Sequence, residues 1–307
     1  MSGPFAKPID ASTRFCAVYG YPIRHSASPA MHNPAMAALG LNWRYLAFEV
    51  HPDNLRSAIA GAKAMNFVGV NLTVPHKLLA VESVDVIDES ARRWGAVNTI
   101  RFEGKAGDGQ WQPLHVFAES PKEIRTHGFN TDADAITRAL REDLGFEPKG
   151  KRVLLLGAGG AGRVAALKLA EEGVAELNLV NRTVSKAEQV AAELKGIAGV
   201  RLNVGYPKDD VDLVLNATSL GLTKDDLLPF DSRAFSLSRA RAAYDMIYRP
   251  AETQFLRAAA EAGCKTANGL GMLLYQGAKA LELWSGKTAP IPIMREALMK
   301  NVYGPSI

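Results

Sequence analysis

One short segment limits the fold of this chain more than any other. Arg152-Val-Leu-Leu-Leu156 is a short, largely apolar run that passes directly into Gly157-Ala158-Gly159-Gly160-Ala161-Gly162, and a helical pattern follows from Arg163 to Glu172. Gly157, Gly159 and Gly162 match G-x-G-x-x-G in a strand-turn-helix context. The first glycine permits a tight turn, the second lets the backbone approach a pyrophosphate, and the third lets helix and strand pack closely. The phosphates then lie at the helix N-terminus, where free N–H groups and the helix dipole favour negative charge. This reads as a doubly wound, Rossmann-type dinucleotide fold.

The residues after the next strand choose the dinucleotide. A carboxylate about 20 residues beyond the glycines would accept hydrogen bonds from a ribose 2′-hydroxyl and repel a 2′-phosphate. Here that position is Asn181, followed by Arg182, Thr183, Ser185 and Lys186, with no acid among them. A guanidinium binds phosphate through charge-assisted, often bidentate bonds. The local chemistry therefore favours NADP over NAD. A structural reading stands beside it, in which Arg182 is a surface residue and Ser185 caps the next helix in a capping box with Glu188.

At 307 residues the chain is long enough for two domains of ordinary size. Before the glycine segment, strand patterns at Phe15–Tyr19, Trp43–Val50 and Phe67–Val74 alternate with helical ones. Ser28-Pro29 reads as an N-cap followed by proline, opening a helix that stops near Gly40, and Asn54–Asn66 reads as a second helix. Such alternation implies crossover units and a largely parallel sheet. Between Phe102 and His127 the pattern dissolves among Gly104, Gly107, Gly109, Pro113 and Pro121, and this stretch reads as a surface excursion. Alternation resumes with a helix at Ala133–Leu144. The tail from Gly269 is helical, with Met272, Leu273, Ala280, Leu281 and Trp284 as core positions.

Four polar segments of the first half fall at or near strand ends, where ligands bind in open α/β sheets. They are His25-Ser26-Ala-Ser28-Pro29, Asn71-Leu-Thr73-Val-Pro75-His-Lys77, Ala96-Val-Asn98-Thr99 and Asn130-Thr131-Asp132. Each taken alone is also explained as a cap, a turn or a solvated side chain.

Together, and in this order, these segments and the glycine loop resemble the shikimate dehydrogenase family. The resemblance continues through Asn181-Arg-Thr183, Asn216-Ala-Thr-Ser219, Tyr244-Asp-Met-Ile-Tyr248, Gly269-Leu-Gly-Met272 and Gln276. It implies reversible, NADPH-dependent reduction of 3-dehydroshikimate to shikimate, a step toward chorismate and the aromatic amino acids. It also implies Lys77 as acid/base paired with Asp132, and Ser26 and Ser28 on the substrate carboxylate with Tyr248 nearby. Thr73, Asn98, Asp132 and Gln276 would contact ring hydroxyls. Thr218, Met246, Gly269 and Met272 would lie on the cofactor side, with Glu89 a lesser candidate there. The implied substrate domain is discontinuous, 1–131 with 269–307, around a dinucleotide domain at 132–268. The implied cleft between them closes on ligands. Two departures are visible: the longer stretch Glu103–His127, and Leu222 where methionine is common.

Other classes fit poorly. Ala217 replaces the first glycine that a G-x-S-x-G nucleophile elbow needs. The six histidines show neither H-x-H nor H-E-x-x-H spacing, so no metal site is expected. His25 and His76 adjoin motif residues, either behind the site or simply exposed. Net charge is +4 with scattered basic residues, which offers no nucleic-acid footprint. Met1–Ala11 lacks an apolar leader core, and no apolar run approaches a membrane span. Cys16 and Cys264 suggest no disulfide framework. The expectation is a cytoplasmic monomer or homodimer acting on a small molecule. Two alternatives stay open: dual quinate/shikimate use, and a non-catalytic metabolite sensor, against which retention of Lys77 and Asp132 argues.

Overall fold

Parallel strands need a crossover connection, commonly a helix, so regular strand–helix alternation favours parallel pairing. The computed structural model, which describes residues 8–304 except 198 and 224, follows this rule at both ends of the chain. Residues 1–7 of the N-terminal stretch read as leaderless lie outside the described residues. The first half runs β1 (Arg14–Gly20), α1 (Ser28–Ala38), β2 (Trp43–Glu49), α2 (Leu55–Ala64), β3 (Gly69–Leu72), α3 (His76–Leu79), β4 (Val86–Ile87), α4 (Glu89–Trp94), β5 (Thr99–Lys105), β6 (Trp111–Pro113) and β7 (Ile124–Phe129). The order across this sheet is β2-β1-β3-β5-β7-β4, with β6 hydrogen-bonded to β5. The second half runs α5 (Asp132–Leu144), β8 (Arg152–Leu156), α6 (Gly160–Glu171), β9 (Glu176–Val180), α7 (Val184–Leu194), β10 (Arg201–Val204), β11 (Val211–Asn216), β12 (Ala240–Asp245), α8 (Gln254–Glu261), β13 (Lys265–Asn268), α9 (Leu270–Ser285) and α10 (Ile291–Tyr303). Its sheet is parallel throughout, in the order β10-β9-β8-β11-β12-β13. That is the doubly wound dinucleotide order, with the switch point between β8 and β11.

The chain divides into two compact units, Met1–Asp132 with Leu274–Ile307, and Ala133–Leu273. The first buries Val70, Leu72, Ile100 and Phe102 beneath Leu55 and Ile59. Trp284 of α9 is fully buried and donates its Nε1–H to the Ile100 carbonyl at 3.0 Å. A side chain at Gly69 would collide with that indole, so β3 needs glycine there to accept the helix. Of the expected tail core, Ala280, Leu281 and Trp284 are buried, whereas Met272 and Leu273 are only half-buried. The second unit centres on Leu154, Leu156, Val214, Ala243 and Phe255.

Three sequence expectations change. The first sheet is mixed, since β5 runs antiparallel to β3 and β7. Ser28 is the first residue of α1 and makes no cap; Ala27 occupies that position. The stretch from Phe102 to His127 is not a loose excursion but two paired strands and a short third one. Glu103, on β5, is buried and accepts from Arg125 Nε at 2.7 Å, from Arg101, and pairs with His127 Nδ1 at 3.0 Å. Arg125 also stacks over Trp111 of β6, its guanidinium 4.4 Å from the ring centre. A buried carboxylate satisfied by arginines erases the apolar alternation by which a strand is read.

His32 of α1 is completely buried, and neither ring nitrogen has a hydrogen-bond partner. It lies flat on Tyr45, centroids 4.2 Å apart and planes 5° apart. Burial brings its pKa down to about 3 from 6.5. The unfolded chain therefore binds a proton below pH 6.5 that the folded one refuses, so His32 lowers stability as pH falls from 6.5 toward 3. We expect the stability of the wild type to fall about 1.4 kcal/mol per pH unit faster than that of His32→Phe between pH 6 and 4. Urea denaturation of both proteins across that range measures the difference. Parallel slopes would mean that the folded protein protonates His32 freely.

Candidate active site

In the first unit the polar segments meet at one edge of the sheet, for a reason of strand direction. Parallel strands β1, β3 and β7 all present their carboxyl ends there, and these lead into Ser26–Ser28, Thr73–Lys77 and Asn130–Asp132. The Ala96–Asn98 segment precedes its strand, but β5 runs antiparallel and so brings its amino end to the same edge. Main-chain bonds tie the segments together. Leu72 N–H donates to the Asn98 carbonyl, Val97 N–H to the Lys77 carbonyl (both 2.8 Å), and Asn98 N–H to the Phe129 carbonyl at 3.0 Å.

Side chains complete the frame. Lys77 Nζ donates to Asp132 Oδ2 at 2.7 Å, the lysine 32% exposed and the aspartate 13%. This ion pair is open enough to meet a ligand and dry enough for its charges to matter. The residues behind it are locked. The Asn98 amide donates to Thr131 Oγ1 at 3.0 Å and accepts the Thr131 N–H at 2.8 Å, while Asn130 Oδ1 accepts the Asp132 N–H at 3.0 Å. Asn71 accepts the Tyr45 hydroxyl at 2.7 Å and donates to Thr99 Oγ1 at 2.9 Å. Burial holds the Tyr45 phenol well above its ordinary range, opposed by a hydrogen bond with Ser28. Ser28 is buried, and Ser26 and Thr73 are half-buried. Gln276 lies on α9 next to Gly277, which packs against Met31 and His32. His76 is buried rather than exposed, whereas His25 is exposed. Glu89 is exposed in the first turn of α4, where its charge suits the helix N-terminus.

In the second unit the glycine loop turns at Gly157, whose φ of 104° suits only glycine. A Cβ there would come within 2.9 Å of the Ala217 carbonyl oxygen, and one at Gly162 would collide with the Gly157 carbonyl. α6 begins earlier than its apolar pattern suggests, with Gly159 as cap and no acid in its first turn. A first turn without an acid suits a pyrophosphate at the helix N-terminus. Asn181 accepts the Ala158 N–H at 3.0 Å and donates to the Thr183 carbonyl at 2.8 Å, so its role is to shape the turn. Arg182, Thr183, Ser185 and Lys186 are exposed together. Thr183 occupies the N-cap of α7 and Ser185 lies inside the helix, so the capping box with Glu188 does not form.

The Thr218 hydroxyl donates to Asn216 Oδ1 at 2.8 Å and is turned inward, while its methyl faces Gly157. Met246 and Gly269 abut backbone to backbone, so closely that only glycine fits at 269. Met272 and Tyr248 are half-buried, and burial pushes the Tyr248 phenol up against the opposing Arg249 charge. Tyr248 belongs to this unit, apart from the other residues expected around the substrate. Asp245, to which the sequence reading gave no role, ends β12 fully buried. Burial raises its pKa, and hydrogen bonds from Thr253, Ile247 and Asn216 oppose this, leaving it at about 6. Its place in the Tyr244–Tyr248 motif, at the end of the run Ala242–Tyr244, is the sequence signal that could have found it.

Residues 18–100 match the shikimate dehydrogenase substrate binding domain, 140–220 the shikimate/quinate 5-dehydrogenase domain, and 269–299 the shikimate 5′-dehydrogenase C-terminal domain. The NADP⁺-dependent shikimate dehydrogenase of Methanopyrus kandleri is 41% identical, over 96% of this chain and 98% of its own. The chain belongs to the shikimate dehydrogenase family. Among solved structures, shikimate 5-dehydrogenase of Thermus thermophilus in complex with NADP(H) and shikimate superposes with a TM-score of 0.77 at 36% identity. That match covers 94% of this chain and 99% of the other. The ligand-free 5-ketofructose reductase of Gluconobacter sp. strain CHM43 does so with a TM-score of 0.78 at 32% identity, over 95% and 99%. The family's shared frame thus also carries a reductase named for another ketone.

Proposed function

We propose that this protein is a cytoplasmic shikimate dehydrogenase that reversibly reduces 3-dehydroshikimate with NADPH, working as a monomer or homodimer. The observation that carries the reading is the Lys77–Asp132 pair at 2.7 Å, held by the Asn98–Thr131 lock at a polar sheet edge. Two free, buried cysteines suit a reducing compartment.

Bound NADPH supplies the hydride. Everything else falls to the chain. The Lys77 ammonium donates its proton to the substrate oxygen as negative charge develops there, and recovers a proton in the oxidation direction. Asp132 holds that ammonium in place and accepts a ring hydroxyl. Ser26 and Ser28 receive the carboxylate, and Tyr248 is a further candidate contact to it. Thr73, Asn98 and Gln276 fix the remaining hydroxyls. Gly157, Ala158, Gly159, Gly160, Ala161 and Gly162 cradle the pyrophosphate, and Thr218, Met246, Gly269 and Met272 line the nicotinamide end.

Oxidation of shikimate by purified protein, followed as NADPH formation, tests the activity. The 2′-phosphate assignment has its own test. Arg182→Ala should raise KM for NADP⁺ by roughly ten- to a hundred-fold, the worth of a charge-assisted phosphate contact, and leave KM for NAD⁺ unchanged. Equal losses with both cofactors would remove Arg182 from that role.

A further inference from the structure

Asp245 is a buried carboxylate whose three partners are all neutral donors. They are the Thr253 hydroxyl at 2.6 Å, the Ile247 N–H at 3.0 Å and the Asn216 side-chain amide at 3.0 Å. Burying a carboxylate without a cation is expensive, and a neutral residue would fill the space at lower cost. What it does follows from the pairing of β11 with β12, which sets Asn216 directly beside it.

Asn216 is also fully buried, and every polar atom of its amide is committed. Its Nδ2 donates to Asp245 Oδ1 and, at 3.2 Å, to the Leu220 carbonyl. Its Oδ1 accepts both the Thr218 N–H at 3.0 Å and the Thr218 hydroxyl at 2.8 Å. An amide can face these groups in two ways that differ only by exchanging N and O. A carboxylate has no proton to give, so Asp245 admits only the way in which nitrogen faces it. Oxygen must then face Thr218. The other end of the turn is braced by the same pair, because Gly221 packs on Thr253, the hydroxyl donor to Asp245. The turn so held puts the Ala217 carbonyl and the Thr218 methyl against Gly157, the first glycine of the phosphate loop.

We infer that Asp245 is a positioning residue for the dinucleotide site: through Asn216 it fixes the turn Ala217–Gly221 against Gly157 and thereby sets NADP affinity. The inference rests on the NADP reading above, and binding of NADP⁺ to the wild type, measured first by fluorescence titration, separates the two. A wild type that fails to bind NADP⁺ overturns the reading of the site. A wild type that binds it leaves the role of Asp245 to be decided by variants.

Asp245→Leu keeps the size and removes the acceptor that faces the Asn216 amide. It should weaken NADP⁺ binding by about ten-fold or more, with KM for shikimate within about two-fold and kcat at saturating NADP⁺ within about three-fold. Thr253→Val, which removes one donor and keeps the shape, should weaken NADP⁺ in the same direction, and Thr253→Ser should restore wild-type affinity. Val190→Ala, in the core of the same unit but on α7, controls for simple loosening. The inference is overturned if Val190→Ala weakens NADP⁺ as much at equal loss of Tm. It is overturned equally if Asp245→Leu and Thr253→Val both leave NADP⁺ affinity within two-fold of wild type.

Discussion

Replacing Lys77 by alanine should lower kcat for shikimate oxidation by about 10²–10⁴-fold, with a much smaller rise in KM for shikimate. The split follows from what the side chain does. In the proposed mechanism its ammonium contacts the reacting oxygen, whose charge grows only as hydride moves, so its loss is felt mainly in the transition state. In the same proposal binding is carried by other side chains around the same edge, among them Ser28 and Asn98. Lys77→Met, which keeps most of the apolar stem, should lose as much as the alanine variant, since the charge and not the packing matters. Steady-state kinetics at saturating NADP⁺ measures both variants. Activity within three-fold of wild type would mean that another group moves the proton.

The second large effect concerns stability. Glu103→Ala leaves Arg101, Arg125 and His127 around an empty centre inside the first sheet. Breaking a buried ionic cluster by removing one partner costs about 3–5 kcal/mol, more than the cluster itself contributes, because the surviving charges stay desolvated. Guanidinium denaturation at pH 7 should show this loss, with a smaller one for Glu103→Gln, which keeps an acceptor. Acid should mimic the substitution. Burial alone would raise the Glu103 pKa, but bonds from His127, Arg101 and Arg125 outweigh it and bring the carboxyl down to about 2 from 4.5. Its stabilisation is therefore complete above pH 4.5 and is lost as pH falls toward 2. A midpoint for Glu103→Ala within about 0.5 kcal/mol of wild type would show that the cluster is solvated and incidental.

How much of this was legible in the sequence depended on whether a residue's neighbours are local. The second unit reads well because its leading strand is a clear apolar run, Val153–Leu156, and because glycines mark its turns. The first unit reads well only as far as β3. Beyond it, β5 and β7 bury Glu103 against arginines, and β4 and α3 are two and four residues long, too short to show any period. The Asn98 segment was recognisable as polar and motif-like, but its arrival at the shared edge depends on β5 running antiparallel, which only the pairing reveals. Lys77 and Asp132 are 55 positions apart, and the residues alone did not bring them together. Resemblance did. The Asn216–Asp245 contact likewise comes from strand register. His32 was hidden for another reason: nothing in an 11-residue helix tells which polar side chain faces the core when that face is shared with Met31 and Met36.

Substrate and cofactor preference together define the proposed activity. The most direct measurement is kcat/KM of the purified protein for shikimate with NADP⁺ and with NAD⁺, with quinate assayed in parallel and 5-ketofructose offered with NADPH. The expected result is rapid oxidation of shikimate with NADP⁺, far slower turnover with NAD⁺, and little use of quinate or 5-ketofructose. Efficient reduction of 5-ketofructose without turnover of shikimate, or a preference for NAD⁺, would contradict it.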